Sequence, residues 1–61
     1  MDKLPVNDVP MLVSTINFLL RDRICEDLDD VCARYGVERT DIEHKLSTMG
    51  FEYNSELNKV W

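Results

Sequence analysis

Gly36 separates two one-sided helical patterns, and this constrains the chain more than any other feature. Before it, Leu28, Val31, Cys32 and Tyr35 recur at i, i+3, i+4 and i+7, the spacing of a two-turn helix with one apolar face. Glycine then stands where a left-handed residue is wanted to end that helix. Beyond it Val37 is expected to point inward, with Ile42, Leu46 and Met49 as the inward face of a further helix that ends at Gly50. A small residue at Cys32 allows the two helices to cross closely. Apolar residues on both sides of the glycine complete the demands of a helix-turn-helix.

The flanking segments extend this core. Asp8 is a good N-cap and Pro10 falls in the first turn, where a missing N–H costs nothing. Val9, Leu12, Val13, Ile16 and Leu20 follow at helical spacing, with Met11 and Phe18 widening the apolar face. After the acidic joint Cys25-Glu26-Asp27, the pair Asp27 and Asp30 resembles a capping box. The third helix is expected to begin near Glu38 or Thr40, and Thr40 to Glu43 offers another capping box for the later start. The tail changes period: Phe51-Glu52-Tyr53 alternates, Asn54 to Asn58 is turn-forming, and Lys59-Val60-Trp61 returns. The expected architecture is one mostly α domain over residues 1–61. It has helices at about 9–23, 27–35 and 39–49, a C-terminal β-hairpin at about 51–61, and a loose segment at 1–7. Three helices followed by a hairpin is the order of a winged helix domain.

Sixty-one residues allow one domain, which buries only about 60% of its unfolded surface, so each large apolar residue counts. No run approaches the roughly twenty apolar residues of a membrane span. The opening MDKLPVNDVP lacks the apolar core of a secretory signal, which makes the cytoplasm the expected location. Cys25 and Cys32 would lie about 10 Å apart along a continuous helix, too far for a disulfide. With His44 they still fall short of a four-ligand zinc set. Free thiols, Cys32 in the core, are the expectation.

Charge argues against the function that a helix-turn-helix first suggests. Twelve acidic residues oppose seven basic ones, giving a net charge of −5. The third helix offers Arg39 and Lys45 but also Glu38, Asp41 and Glu43. Phosphate contact by lysine and arginine supplies much of DNA affinity, and this is the reverse of a basic footprint. A DNA-binding, transcriptional role through Arg39, Thr40, His44 and Lys45 is therefore the alternative reading. Only Arg21-Asp22-Arg23, at the end of the first helix, is net positive. Those arginines suit the helix dipole, or an ion pair with a hairpin glutamate, or contact with an acidic or phosphate-bearing partner.

No catalytic site, cofactor site or metal site is apparent. His44 lacks a nucleophile and an orienting partner at helical spacing. Asp29 and Asp30 are adjacent and point to different sides of a helix, and EDLDD lacks the ligand alternation and glycine of a calcium loop. The primary expectation is a non-enzymatic interaction or regulatory module that contacts another protein, or a second copy of itself, rather than nucleic acid or membrane. The candidate surface is Tyr53, Leu57 and Trp61, expected to be apolar and partly buried. For Trp61 taken alone, a lid over the core beside Phe51 or Tyr53 is the preferred reading over an interface anchor.

The stretches PMLVSTINFLLRD at 10–22, LDDVC at 28–32 and GFEYNSELNKVW at 50–61 resemble a family of very short bacterial proteins of unknown function, along nearly the whole chain. Val9 stands before Pro10 where Asp-Pro is usual, and Phe51 stands where tyrosine is usual. The resemblance implies a free-standing cytoplasmic bacterial protein and carries no assigned activity. It also draws attention to Ser14, Asn17, Arg21, Asp22, Tyr53 and Asn58, which fit buried hydrogen bonds between the first helix and the hairpin.

Overall fold

Asp8 opens the first helix as its spacing predicts. Its side chain accepts a hydrogen bond from the Met11 N–H at 3.1 Å, and Pro10 lies in the first turn of α1 (Val9–Arg21). This computed structural model describes residues 3–61, so the first two residues of the expected loose segment lie outside the described residues. The rest of that segment differs from expectation. Leu4 is buried in the core, and Val6 packs against it. A chain this small recruits apolar side chains from its terminal segment because its helices alone supply too few.

Helix α2 (Leu28–Tyr35) begins at Asp27, whose carboxylate accepts the Asp30 N–H at 2.8 Å. The Asp30 carboxylate reaches back one residue further than a capping box requires and accepts the Glu26 N–H at 2.9 Å. Helix α3 (Arg39–Ser47) starts at Glu38, with no side-chain cap. Of the two starts considered, near Glu38 and near Thr40, the earlier is found; the Arg39 guanidinium in the first turn meets carboxylates on α2 and α3.

All three helices end in the same way. Each is closed by a left-handed residue, with a hydrogen bond from the next N–H back to a core carbonyl. Arg23 (φ 59) is followed by Ile24, whose N–H reaches the Leu19 carbonyl at 2.9 Å. Gly36 (φ 67) is followed by Val37, bonded to Cys32 at 3.0 Å. Gly50 (φ 80) is followed by Phe51, bonded to Leu46 at 2.9 Å. These are Schellman motifs, two on glycine and one on arginine. The first explains why α1 stops at Arg21 instead of continuing to residue 23: Arg23 itself adopts the left-handed turn.

The core joins Leu12, Ile16, Leu19 and Leu20 of α1, Leu28, Val31 and Cys32 of α2, and Ile42 and Leu46 of α3. Cys25 in the connection and Val60 in the hairpin complete it with Leu4. Met11 and Phe18 do not widen the buried face; they are 50% and 46% exposed. Met49, expected inward, is 56% exposed because α3 ends before it and the chain turns away at Gly50.

The hairpin pairs β1 (Tyr53–Asn54) with β2 (Lys59–Val60), antiparallel, with Tyr53 opposite Val60 and Asn54 opposite Lys59. Glu52 and Trp61 exchange two further backbone bonds of 3.0 Å, which continues the pairing toward the chain end. Side chains alternate across a strand. Tyr53 and Val60 thus face the helices, while Lys59 and Trp61 share the outer face. No helix among the described residues is long and apolar enough to cross a membrane.

Candidate partner-binding surface

Two asparagines tie the hairpin to the rest of the domain. Asn17, on α1, donates from Nδ2 to the Val60 carbonyl at 2.8 Å and accepts the Val60 N–H at 2.7 Å. The Tyr53 hydroxyl donates to the Asn58 side-chain oxygen at 2.6 Å, and Asn58 Nδ2 donates to the Glu26 carbonyl at 2.8 Å. Asn58 sits at φ 54, a left-handed conformation that asparagine tolerates better than most residues. Asn54 caps the turn by accepting the Leu57 N–H at 2.9 Å. Three of the polar residues singled out in the sequence, Asn17, Tyr53 and Asn58, thus join α1, the connection after it and the hairpin.

This anchoring separates the three residues expected to form one apolar surface. Tyr53 is half-buried against the core, with its hydroxyl satisfied internally. Leu57 is 52% exposed at the hairpin tip and Trp61 is 57% exposed at its base. The expectation of a single patch is corrected, because strand alternation turns Tyr53 inward and Trp61 outward, and the length of β2 sets Leu57 apart from Trp61. The reading of Trp61 as a lid is corrected too. Its ring lies beside a shallow hollow formed by Ser47, Gly50, Phe51 and Glu52, and the Lys59 ammonium stands 5.0 Å from its centre.

The residues of the DNA-reading alternative are distributed differently again. Thr40 and His44, one helical turn apart, are exposed on α3, and Lys45 is half-buried. Arg39 is turned away from that face. Its guanidinium meets Asp29 at 3.0 Å and Glu43 at 3.5 Å, and lies 5.4 Å from the centre of the Tyr53 ring. The Asp29 hydrogen bond raises the Arg39 pKa, so its positive charge is paired at the surface with that carboxylate. Asp41 and Glu43, by contrast, are exposed beside His44.

A second region emerges that the spacing of residues along the chain does not reveal. An open hollow of about 1030 Å³ lies between the end of α1 and the hairpin tip. Phe18, Arg21 and Arg23 line one side and Leu57, Asn58 and Lys59 the other. The net positive end of α1 was the only signal for it. That Lys59 and Leu57 fold back beside it depends on the Asn17 and Asn58 anchors. Arg21 pairs with its neighbour Asp22 at 3.2 Å and not with a hairpin glutamate, which corrects that expectation.

The two thiols are free and buried. Burial raises the Cys25 pKa, with Arg34 opposing, and burial with the nearby Asp29 carboxylate raises that of Cys32. Cys32 therefore belongs to the core, and Cys25 closes the connection between α1 and α2. Among the described residues, no three His, Cys, Asp or Glu side chains gather closely enough to hold a metal ion.

Fold and surface together define a small helical domain closed by a C-terminal hairpin that a single asparagine ties to the first helix. The chain belongs to the family described as a domain of unknown function (DUF4250), which it matches over residues 6–60. No curated protein and no solved structure matches it.

Proposed function

We propose that this chain is a small protein-interaction module without catalysis of its own, built on a winged helix-like plan in which the hairpin is the wing. One observation carries the reading. Leu57 and Trp61 are each more than half exposed on a hairpin whose other face is sealed against the core. Exposed apolar residues scattered singly are ordinary in proteins, but these two share one short hairpin. In a domain of this size they forgo burial that stability needs, and tryptophan is enriched at the centres of protein interfaces.

The DNA-binding alternative finds less support. The cation best placed at the start of α3, Arg39, is engaged by Asp29 and Glu43, and the exposed face of that helix carries Asp41 and Glu43. The buried, unpaired thiols suit a reducing compartment, and we assign the chain to the bacterial cytoplasm.

Two measurements test the reading. Titration with mixed duplex DNA at low salt should give no binding; binding at about micromolar strength or tighter that weakens steeply with salt would favour the DNA reader. Capture from a lysate of the source cells should retain proteins on the native chain that are lost from Leu57→Ser and Trp61→Ser. Identical retention by all three would sink the interaction reading.

A further inference from the structure

The cations of this acidic chain are unevenly placed. Of its seven lysines and arginines, Arg21, Arg23 and Lys59 line the hollow between the end of α1 and the hairpin tip, against one acid, Glu26. Arg23 and Lys59 form no ion pair among the described residues, and the Lys59 ammonium rests only 5.0 Å from the exposed Trp61 ring, a weak contact it can leave. Arg21 pairs only with the adjacent, exposed Asp22, and such an exposed pair exchanges readily for a better one. Arg39, in contrast, is bound by two carboxylates on the helices.

The same hollow presents apolar surface. Phe18 and Leu57 line it and are 46% and 52% exposed. Phe18 already lies 5.9 Å beneath the Arg21 guanidinium, so its ring face is next to positive charge. A ligand for this arrangement must offer negative charge and an apolar group close together.

We propose that this hollow is a docking site for an acidic segment of a partner protein. One aromatic or branched apolar side chain of the segment rests against Phe18 and Leu57, and its flanking carboxylates meet Arg21, Arg23 and Lys59. The inference rests on the interaction-module reading and gives it a site and a partner chemistry. Charge complementarity selects this occupant over others. A nucleic-acid strand would extend its phosphates past three cations onto a chain of net charge −5. A second copy docking through the same hollow would set like charges against each other, as a two-fold interface requires self-complementarity. An interface that pairs the hollow of each copy with the acidic start of α2 of the other would make a concentration-dependent dimer, and finding one would overturn the commitment to a partner segment.

The test is selection of random displayed dodecapeptides on the full chain at neutral pH and low salt, followed by anisotropy titrations of the enriched peptides. The expected consensus is an aromatic or leucine flanked by aspartate and glutamate. Its binding should weaken about tenfold or more in the R23E/K59E double variant, as reversal of complementary charge requires. It should fall in Leu57→Ser and persist in Trp61→Ser. Both charge-reversed side chains are exposed, and circular dichroism checks that the fold survives; the milder R23Q/K59Q pair serves if it does not. A consensus without acids, no enrichment, or binding indifferent to both charge variants overturns the proposal. Enriched peptides that depend on Trp61 instead would overturn this site and leave the interaction reading standing. Tighter binding of single-stranded DNA than of any peptide, lost in R23E/K59E, would overturn the commitment to a protein partner.

Discussion

Asn17 and Val60, 43 residues apart, are joined by two hydrogen bonds in which one side-chain amide takes the place of a missing β-strand. In the hairpin, Tyr53 and Val60 are opposite each other between pairs that exchange backbone bonds. In such a non-hydrogen-bonded pair, the backbone groups point away from the partner strand. The Val60 N–H and C=O therefore face α1, where Asn17 supplies one acceptor and one donor. Val60 is nearly fully buried, and unpaired polar backbone there would be costly.

Asn17→Ala should accordingly destabilise the domain by about 1–3 kcal/mol, the cost of leaving buried polar groups unsatisfied. In so short a chain, each kcal/mol lowers the melting temperature by roughly 4–8 °C. Asn17→Asp should do no better, since its carboxylate can accept from the Val60 N–H but opposes the Val60 carbonyl. Thermal and urea unfolding followed by circular dichroism measure both. A loss below about 0.5 kcal/mol for Asn17→Ala would show that water replaces the amide and that the hairpin does not depend on it.

The three helix ends make a prediction of opposite signs. Gly36 is left-handed, and a Cβ added there would meet nothing within 4 Å. The cost of Gly36→Ala is then purely conformational, about 1–2 kcal/mol. Arg23 adopts the same conformation with a side chain attached. Arg23→Gly should relieve that strain and stabilise by about 0.5–1 kcal/mol, less the entropy that glycine adds to the unfolded chain. Unfolding midpoints of both variants decide the matter, and a destabilised Arg23→Gly would show that the Arg23 side chain makes contacts that outweigh the strain.

Local signals carried the helices well and the surface poorly. Asp8, Asp27 and Gly36 act within a few residues of themselves, so capping and the glycine turn could be read from spacing alone. The inward stripe of α2 was legible for the same reason. Phe18 and Met49 were misread as inward because periodicity says which residues share a face, not how far the packing partner extends. The start of α3 at Arg39 agrees with the expected span, but the contact that holds Arg39 to Asp29, ten residues away on another helix, is one that no capping pattern encodes. Leu4 and Cys25 lie outside any periodic run, yet both are buried. The hollow beside Lys59 required knowing that Asn17 and Asn58 fold the hairpin back onto α1. The polar residues of the resemblance marked those anchors without revealing their partners.

Arg39 makes a third prediction, because it links α2, α3 and the Tyr53 ring. Its side chain is 37% exposed and Asp29 is 69% exposed, so solvent screens the pair. A double-mutant cycle of Arg39→Ala and Asp29→Ala should give a coupling of about 0.2–1 kcal/mol, shrinking as salt is raised. Arg39→Met should retain part of the packing over Tyr53 while losing the charge. If the coupling is zero at low salt, the ion pair does not help to hold α3 at its early start.

The buried thiols make the domain sensitive to alkali, and the sign follows from burial. Burial raises the Cys25 and Cys32 pKa above the ordinary value of 9.0, so the folded chain holds these protons more tightly than the unfolded chain. Their contribution to stability is fully present below pH 9.0 and is lost as pH rises through the folded-state pKa. The informative comparison is with the Cys25→Ala/Cys32→Ala variant. That variant starts less stable, because truncating buried side chains leaves cavities. Its urea midpoint should nevertheless fall less steeply with pH than that of the native chain. Alkylation by iodoacetamide at neutral pH should be slow until the chain unfolds, as both side chains are at most 4% exposed. Parallel pH curves for the two chains would show that the thiolates reach water without unfolding, and rapid alkylation of Cys25 would locate the opening at the connection between α1 and α2.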